Sequence, residues 1–239
     1  MKLSKSLFSD PEQCGYLPEQ KWRFEYKKAI EMTSAEYTDF IHDGWRKFGR
    51  MLFRPICHNC TACQPIRVCC AEFSPDRSQK RTWKANEDLE IYINDSGMDK
   101  SVYDLYMSHH QARARDVGWR PPTVFGSLSH LSSMEDNPFA IQVWKHKLED
   151  RLLGVCFVEP LSDGYSAIYS FYDPDEKKRS LGTWMILNLI EKAKVENLPY
   201  VYLGYYVEGC RSMSYKATYF PSEIRNLDGS WSKFRVEEK

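Results

Sequence analysis

Cys57, Cys60 and Cys63 stand in a C-x2-C-x2-C spacing, and Cys14 is a fourth thiol that the fold can bring from a distance. Four thiolates so arranged suit tetrahedral zinc or an iron–sulfur cluster. His58, Cys69 and Cys70 are rival ligands, and the competing reading is of buried thiols packed as small hydrophobes. Six of the eight cysteines fall between Cys14 and Cys70. In a reducing compartment such clustering points to metal or redox chemistry before disulfides.

Two further stretches carry positive charge. Residues 77–84 read Arg-Ser-Gln-Lys-Arg-Thr-Trp-Lys, the densest basic run in the chain. Arg77, Lys80, Arg81 and Lys84 can meet phosphates, and Trp83 can stack on a base. The bland reading is a solvated strand edge guarded by charge. Lys177-Lys178-Arg179-Ser180-Leu181-Gly182-Thr183 lies between a strand and a helix start, where free N–H groups and the helix dipole favour an anion. This turn resembles the acyl-CoA-binding turn of the N-acetyltransferases, with Arg179 and Gly182 in matching places. Trp184 replaces the final small residue, and an indole there should obstruct a pyrophosphate. Beyond it, Tyr200 to Tyr206 is an aromatic strand interrupted by Gly204. Strict alternation puts Tyr202 and Tyr206 on one face and Tyr205 on the other, with Val201 and Leu203.

The elements that must position these groups can be read from spacing. Thr33 with Glu36 is a capping-box start for a helix that Gly44 ends. Leu89 to Ile93 alternates as a strand, and residues 101–115 read as a helix bearing the His109-His110 doublet. Residues 1–25 and 117–138 read as loops. In the C-terminal half, strands at 139–145, 152–159 and 165–172 precede a helix from Ser180 to about Glu196, and a strand at 200–205 follows. That β-β-β-α-β order ends in a right-handed crossover. A short helix (212–218) and a strand near 223–227 complete the chain.

The 239 residues carry 33 Lys+Arg against 33 Asp+Glu, and 42% are hydrophobic. A polycation is excluded, and so is wholesale disorder. A nucleic-acid partner needs only a local basic surface. No stretch approaches the ~20 apolar residues that span a bilayer. The first nine residues lack an apolar signal-peptide core. A cytoplasmic protein without a membrane partner is expected.

Taken together, the motifs resemble the aminoacyl-tRNA–protein transferase family, and most closely its bacterial branch, the aspartate/glutamate leucyltransferases. The resemblance rests on Cys14-Gly15-Tyr16-Leu17-Pro18-Glu19, Gly44-Trp45-Arg46-Lys47-Phe48-Gly49-Arg50 and Leu52-Phe53-Arg54-Pro55 before the cysteine triplet. Pro65-Ile66-Arg67, Phe73-Ser74-Pro75 and Arg77-Ser78-Gln79-Lys80-Arg81 follow. The later matches are Ser170 to Asp175, Arg179 to Thr183, Tyr200 to Tyr205 and Met213 to Ala217. Leu17 replaces the second cysteine of the eukaryotic N-terminal motif, and Cys69 and Cys70 are additional.

The resemblance implies an α+β chain: an acetyltransferase-like mixed sheet flanked by helices (residues 86–239), with an N-terminal cysteine-containing α/β domain (residues 1–85). It implies transfer of leucine from leucyl-tRNA to the N-terminal Asp or Glu of acceptor proteins, which marks them for degradation. No cofactor is needed for that chemistry, because the ester is already activated; zinc or an iron–sulfur cluster is a candidate at Cys14, Cys57, Cys60 and Cys63. Lys177, Lys178, Arg179, Gly182 and Thr183 would hold the end of the tRNA, with Arg77, Lys80 and Arg81 on the acceptor stem. Asp173 would relay a proton or hold the amine, and Tyr205 would orient the ester. Lys216, Arg211, Arg46 or Arg54 would meet the acceptor's carboxylate. Arginine as the donated residue, an acyl-CoA N-acetyltransferase, and a metal-stabilised RNA-binding or redox-sensing protein are the alternatives.

Overall fold

A reciprocal capping box opens the first helix. The Thr33 hydroxyl accepts from the Glu36 N–H at 3.2 Å, while the Glu36 carboxylate accepts from the Thr33 N–H at 2.9 Å. Helix α1 therefore runs Ser34–His42 and buries Tyr37 and Ile41. The computed structural model describes residues 1–94 and 98–234. Before α1 come β1 (Lys2–Leu3), β2 (Leu7–Phe8), β3 (Glu12–Gln13), β4 (Lys21–Trp22) and β5 (Phe24–Glu31); after it come β6 (Arg46–Phe48) and β7 (Met51–Pro55). These form a sheet in the order β1-β5-β7-β6, with β2 also on β5, and a separate β3–β4 hairpin. The first 25 residues, expected as loop, thus contain short strands. Ala29, Met32, Tyr37, Ile41, Trp45 and Leu52 pack in one core with Leu161 and Tyr202 of the second sheet.

That second sheet is built from β8 (Gln64–Cys69), β9 (Glu90–Ile93), β10 (Gln142–Leu148), β11 (Arg151–Leu161), β12 (Gly164–Tyr172), β13 (Tyr200–Tyr206), β14 (Ser222–Arg225) and β15 (Trp231–Lys233). Its order is β15-β14-β8-β13-β12-β11-β10-β9. A boundary at residue 85/86 would cut through this sheet, since β8 lies between β14 and β13. Helix α2 (Arg77–Lys84) packs with α5 (Leu181–Val195) on one face; α3 (Lys100–Val117) and α4 (Val124–Glu135) cover the other. The expected β-β-β-α-β order is present as β10, β11, β12, α5 and β13. Helix α5 buries Leu181, Met185, Leu187, Leu189 and Ile190, each worth about 1.5–3 kcal/mol relative to exposure.

Three local expectations are corrected. Residues 77–84 are a helix rather than a strand edge, because Asp76 and Gln79 form a second capping box. Residues 124–135 are helical rather than loop, with Ser127, Leu131 and Met134 buried at helical spacing. Ser180 precedes α5 in a left-handed conformation (φ 51°) and makes no side-chain cap bond.

The sheet is split. Strands β12 and β13 are parallel but pair only at Gly164–Tyr200, Tyr165–Val201 and Ser166–Tyr202. Beyond those pairs the two strands run on separately, β12 to Tyr172 and β13 to Tyr206. The register of β13 against β8 also shifts between Tyr202 and Tyr205. Gly204, at φ +83°, sits within that irregularity, in a region that favours glycine. The extra residue turns Tyr205 away from the Val201/Leu203 face. Its hydroxyl reaches Gly44 on the side of the small sheet.

Candidate active site

Two buried cations flank the backbone where the sheet opens. Arg46 comes from β6 of the small sheet; Lys216 comes from a short 3-10 helix, Ser214–Thr218. A side-chain carbon at Gly204 would lie 3.7 Å from Lys216 Nζ and 3.8 Å from Arg46 Nε. Both cations thus lie beside one point of the backbone. Arg46 donates to Ser166 Oγ (3.1 Å), on the last residue of β12 paired with β13, and to the carbonyl of Ala167 (3.3 Å), the first residue beyond it. Lys216 donates to the Tyr205 carbonyl at 2.5 Å and to Met213 Sδ at 3.1 Å.

Among the described residues, no carboxylate ion-pairs with either cation. The carboxylate that reaches this region is Glu159, which accepts from Ser166 Oγ at 2.6 Å. It is already neutralised by Lys47 Nζ at 2.9 Å, with side-chain exposures of 1% and 0%. Burial, followed by the charge of Arg46, pushes Lys216 down to about 7, although the Cys210 and Cys63 thiols oppose that shift. The two cations therefore make a desolvated, electropositive point beside Gly204 that would favour an anion.

The other anticipated groups are distributed as follows. The Tyr205 hydroxyl donates to the Gly44 carbonyl at 2.8 Å, so it is spent on linking the sheets. Arg54 pairs with Glu25 at 2.7 Å and lies 4.6 Å over the Trp45 ring. Arg211 is exposed. Asp173 follows β12 and is held by Arg151 at 2.5 Å. Arg179 makes a two-pronged contact to Asp88 (2.7 and 2.9 Å) and donates to the Ala85 carbonyl. Lys177 lies 3.3 Å from Asp116, and Lys178 is exposed. A Cβ on Gly182 would meet the Tyr172 ring at 3.2 Å, and the Thr183 N–H bonds to Ser180. On α2, Arg77, Lys80, Arg81 and Lys84 face solvent. Trp83 is half-buried and packs edge-on against Trp184 at 4.9 Å. Trp184 itself is buried with Leu89, Leu153 and Leu181. It therefore does not obstruct the turn; the Tyr172 ring over Gly182 does.

The family model described as arginine-tRNA-protein transferase, N terminus, matches residues 12–81, and its C-terminus counterpart matches residues 101–226. The chain belongs to this family. It is 40% identical over 226 residues to the aspartate/glutamate leucyltransferase of Nitrosococcus oceani, covering 94% of this chain and 93% of that one. The Pseudomonas fluorescens enzyme of the same name is 36% identical over 221 residues, covering 92% and 93%. The structure is also similar to L-PGS from Bacillus licheniformis, with a TM-score of 0.48 at 11% identity, over 82% of this chain and 61% of that one.

In this transferase the N-terminal thiols gather without forming a finished metal centre. Cys14, Cys57, Cys60 and Cys63 line one small pocket with Tyr16 and Trp22. Cys14 Sγ accepts the N–H groups of Tyr16 and Leu17, both at 3.4 Å. Burial first, and then the neighbouring thiols, push Cys63 up to about 12. Among the described residues, no group of three or more His, Cys, Asp or Glu side chains converges to hold a metal ion. These four thiols are the residues that would hold zinc or a cluster, and the transfer chemistry runs through none of them.

Ser166, Glu159 and Lys47 escaped the sequence reading. Lys47 lies within a matched motif, but nothing in spacing links it to Glu159. No helix among the described residues is long and apolar enough to cross a membrane.

Proposed function

We propose that this transferase moves leucine from leucyl-tRNA to the α-amine of proteins beginning with Asp or Glu, and that the new N-terminal leucine directs them to degradation in the cytosol. The observation that carries the acceptor assignment is the carboxylate-free pair Arg46 and Lys216 beside Gly204. An acidic N-terminal side chain supplies the missing counter-ion, and burial makes a two-cation contact strong. The splayed strands would serve as the substrate cleft, as in an acetyltransferase-like sheet.

The same charges argue about the donor. A leucyl side chain needs only apolar surroundings. An arginyl side chain needs a free carboxylate, whereas Glu159 is taken by Lys47 and the nearest charges are positive. Arginine transfer, the second reading, is therefore disfavoured at this site. Coenzyme A has little room at the 177–183 turn, where Tyr172 lies over Gly182 and Arg179 is held by Asp88.

The chemistry needs no cofactor. The aminoacyl ester is activated before it arrives, and an α-amine of pKa ~7.7–8.0 is partly neutral at physiological pH. The protein must bring amine and ester together and manage one proton. Radiolabelled leucyl- and arginyl-tRNA, offered separately with a peptide beginning with Asp, test the assignment. Leucine is expected on the peptide and arginine is not; efficient arginine transfer with no leucine transfer would reverse the reading.

For the tRNA, Lys178 is the exposed cation of the turn and the α2 cations extend the basic surface. Lys178→Ala is expected to lower the slope of log KM for leucyl-tRNA against log salt by about 0.7–0.9, the share of one phosphate contact. An unchanged slope would remove Lys178 from the tRNA site.

A further inference from the structure

The His109-His110 doublet lies on α3 against the end of β12 that has parted from β13. His110 Nδ1 lies 2.9 Å from the Tyr106 carbonyl, which can only accept, so Nδ1 carries the proton. The Nε2 lone pair is left to accept the Tyr169 hydroxyl at 2.7 Å. A second contact runs beside it, from the Tyr106 hydroxyl to His130 Nδ1 at 2.7 Å. The Tyr106 ring stacks on His110 with centroids 3.8 Å apart, and Phe48 stacks on His130 at 4.7 Å. Tyr169, His110 and His130 are half-buried, neither sealed in the core nor free in solvent.

This cluster and the cation pair share two strands. Phe48 is two residues beyond Arg46 on β6. Tyr169 is three residues beyond Ser166 on β12, about 10 Å along an extended strand. The cluster and the cation pair therefore border the same stretch of β12, the part that leaves β13. Asp173, the residue expected to manage the proton, is instead held by Arg151.

We infer that Tyr169 and His110 form the proton relay of the transfer reaction, with the Tyr169 oxygen touching the attacking amine and His110 accepting through it. The inference rests on the leucyl-transfer reading above. As the neutral amine attacks the ester carbon, a C–N bond forms and nitrogen carries one surplus proton. That proton passes to Tyr169 Oη while the phenolic proton moves to His110 Nε2. When the C–O bond to the tRNA breaks, a proton returns through Tyr169 to the departing 3′-oxygen. Tyr169 and His110 end as they began.

The surroundings keep His110 in its accepting form. Burial lowers its pKa, partly offset by its bond to the Tyr106 carbonyl. The groups facing it are Tyr106, His109 and Arg113 on α3, His130 on α4, and Tyr169 and Tyr172 on β12. His109 and His130 are themselves pushed down to about 4, chiefly by burial, so neither adds positive charge near neutrality.

The test uses the intact protein, leucyl-tRNA and a peptide beginning with Asp. Tyr169→Phe keeps the ring and is expected to lower kcat about a hundredfold or more, with leucyl-tRNA affinity and acceptor KM within twofold of wild type. In the wild type, log(kcat/KM) is expected to fall with a slope approaching two on the acid side, one proton on the amine and one on His110. In His110→Gln the slope falls to one, and free imidazole restores part of the activity of His110→Ala. A Tyr169→Phe enzyme with kcat within threefold of wild type, or an acid limb of slope one in the wild type, overturns the relay. A wild type that transfers no leucine fails before any variant is made, which separates failure of the reaction from failure of the relay.

Discussion

Lys216→Met should abolish most transfer while leaving the fold as stable as before, or more so. Methionine fills nearly the same volume and removes a charge that is buried without a carboxylate. Melting should therefore shift upward or not at all. Transfer to acidic acceptors should fall about 30- to 1000-fold in kcat/KM, the ~2–4 kcal/mol cost of removing one partner of a desolvated charge pair. A variant that melts lower and loses activity in proportion would mean that Lys216 is structural.

The same lysine gives a pH signature. Its pKa in the folded protein is about 7, below the ordinary value of 10.5. Between those values the unfolded chain binds the extra proton, so this group's contribution to stability rises with pH across that window and is flat below pH 7. Binding runs the other way. The protonated lysine is the form that attracts a carboxylate, so acceptor KM should climb above pH 7 in the wild type and not in Lys216→Met. Urea melts over pH 7–10 check the first trend, and steady-state kinetics from pH 6 to 9 the second.

Lys47→Met should be among the most destabilising single changes in the chain, by about 3–5 kcal/mol. The reason is what remains: a Glu159 carboxylate buried to within 1% and stripped of its cation. Asn137 loses its contact as well, since its Oδ1 accepts from Lys47 Nζ at 2.5 Å. The double variant Lys47→Met/Glu159→Gln should recover most of the loss, because the amide still serves Ser166 and no charge is left behind. Equal destabilisation of the single and double variants in urea melts would contradict this. The pair is shielded from solvent, so its coupling should hardly change between 0.05 and 0.5 M salt. Through Ser166 it also anchors Arg46, which ties the stability of the two-sheet junction to the geometry of the acceptor pocket.

How much was legible in advance follows from which forces are local. The Thr33/Glu36 box, the β-β-β-α-β run and the amphipathic pattern of α5 depend on neighbours in sequence, and they were read correctly. Helix α2 was hidden because four exposed cations swamp its periodicity; only Asp76 with Gln79 betrays its start. Strand β5 was missed because Lys27 and Lys28 interrupt its alternation. The flip of Tyr205 depends on the bulge at Gly204, which no period-two reading can foresee. At the site, Arg46 and Lys216 were among four candidate cations. The chain could not rank them, since what distinguishes them is the absence of a carboxylate. Arg54 and Arg179 look as available in sequence, yet Glu25 and Asp88 hold them. Those contacts span 29 and 91 residues.

The most direct test of the acceptor pocket is the preference for Asp over Asn at the peptide N-terminus, measured as the ratio of kcat/KM values with leucyl-tRNA in wild type and in Lys216→Met. The two peptides differ by one charge and almost nothing in shape. A large ratio in the wild type that collapses toward one in the variant is predicted. The same ratio in both enzymes would place the acceptor's carboxylate elsewhere and contradict the assignment of Arg46 and Lys216.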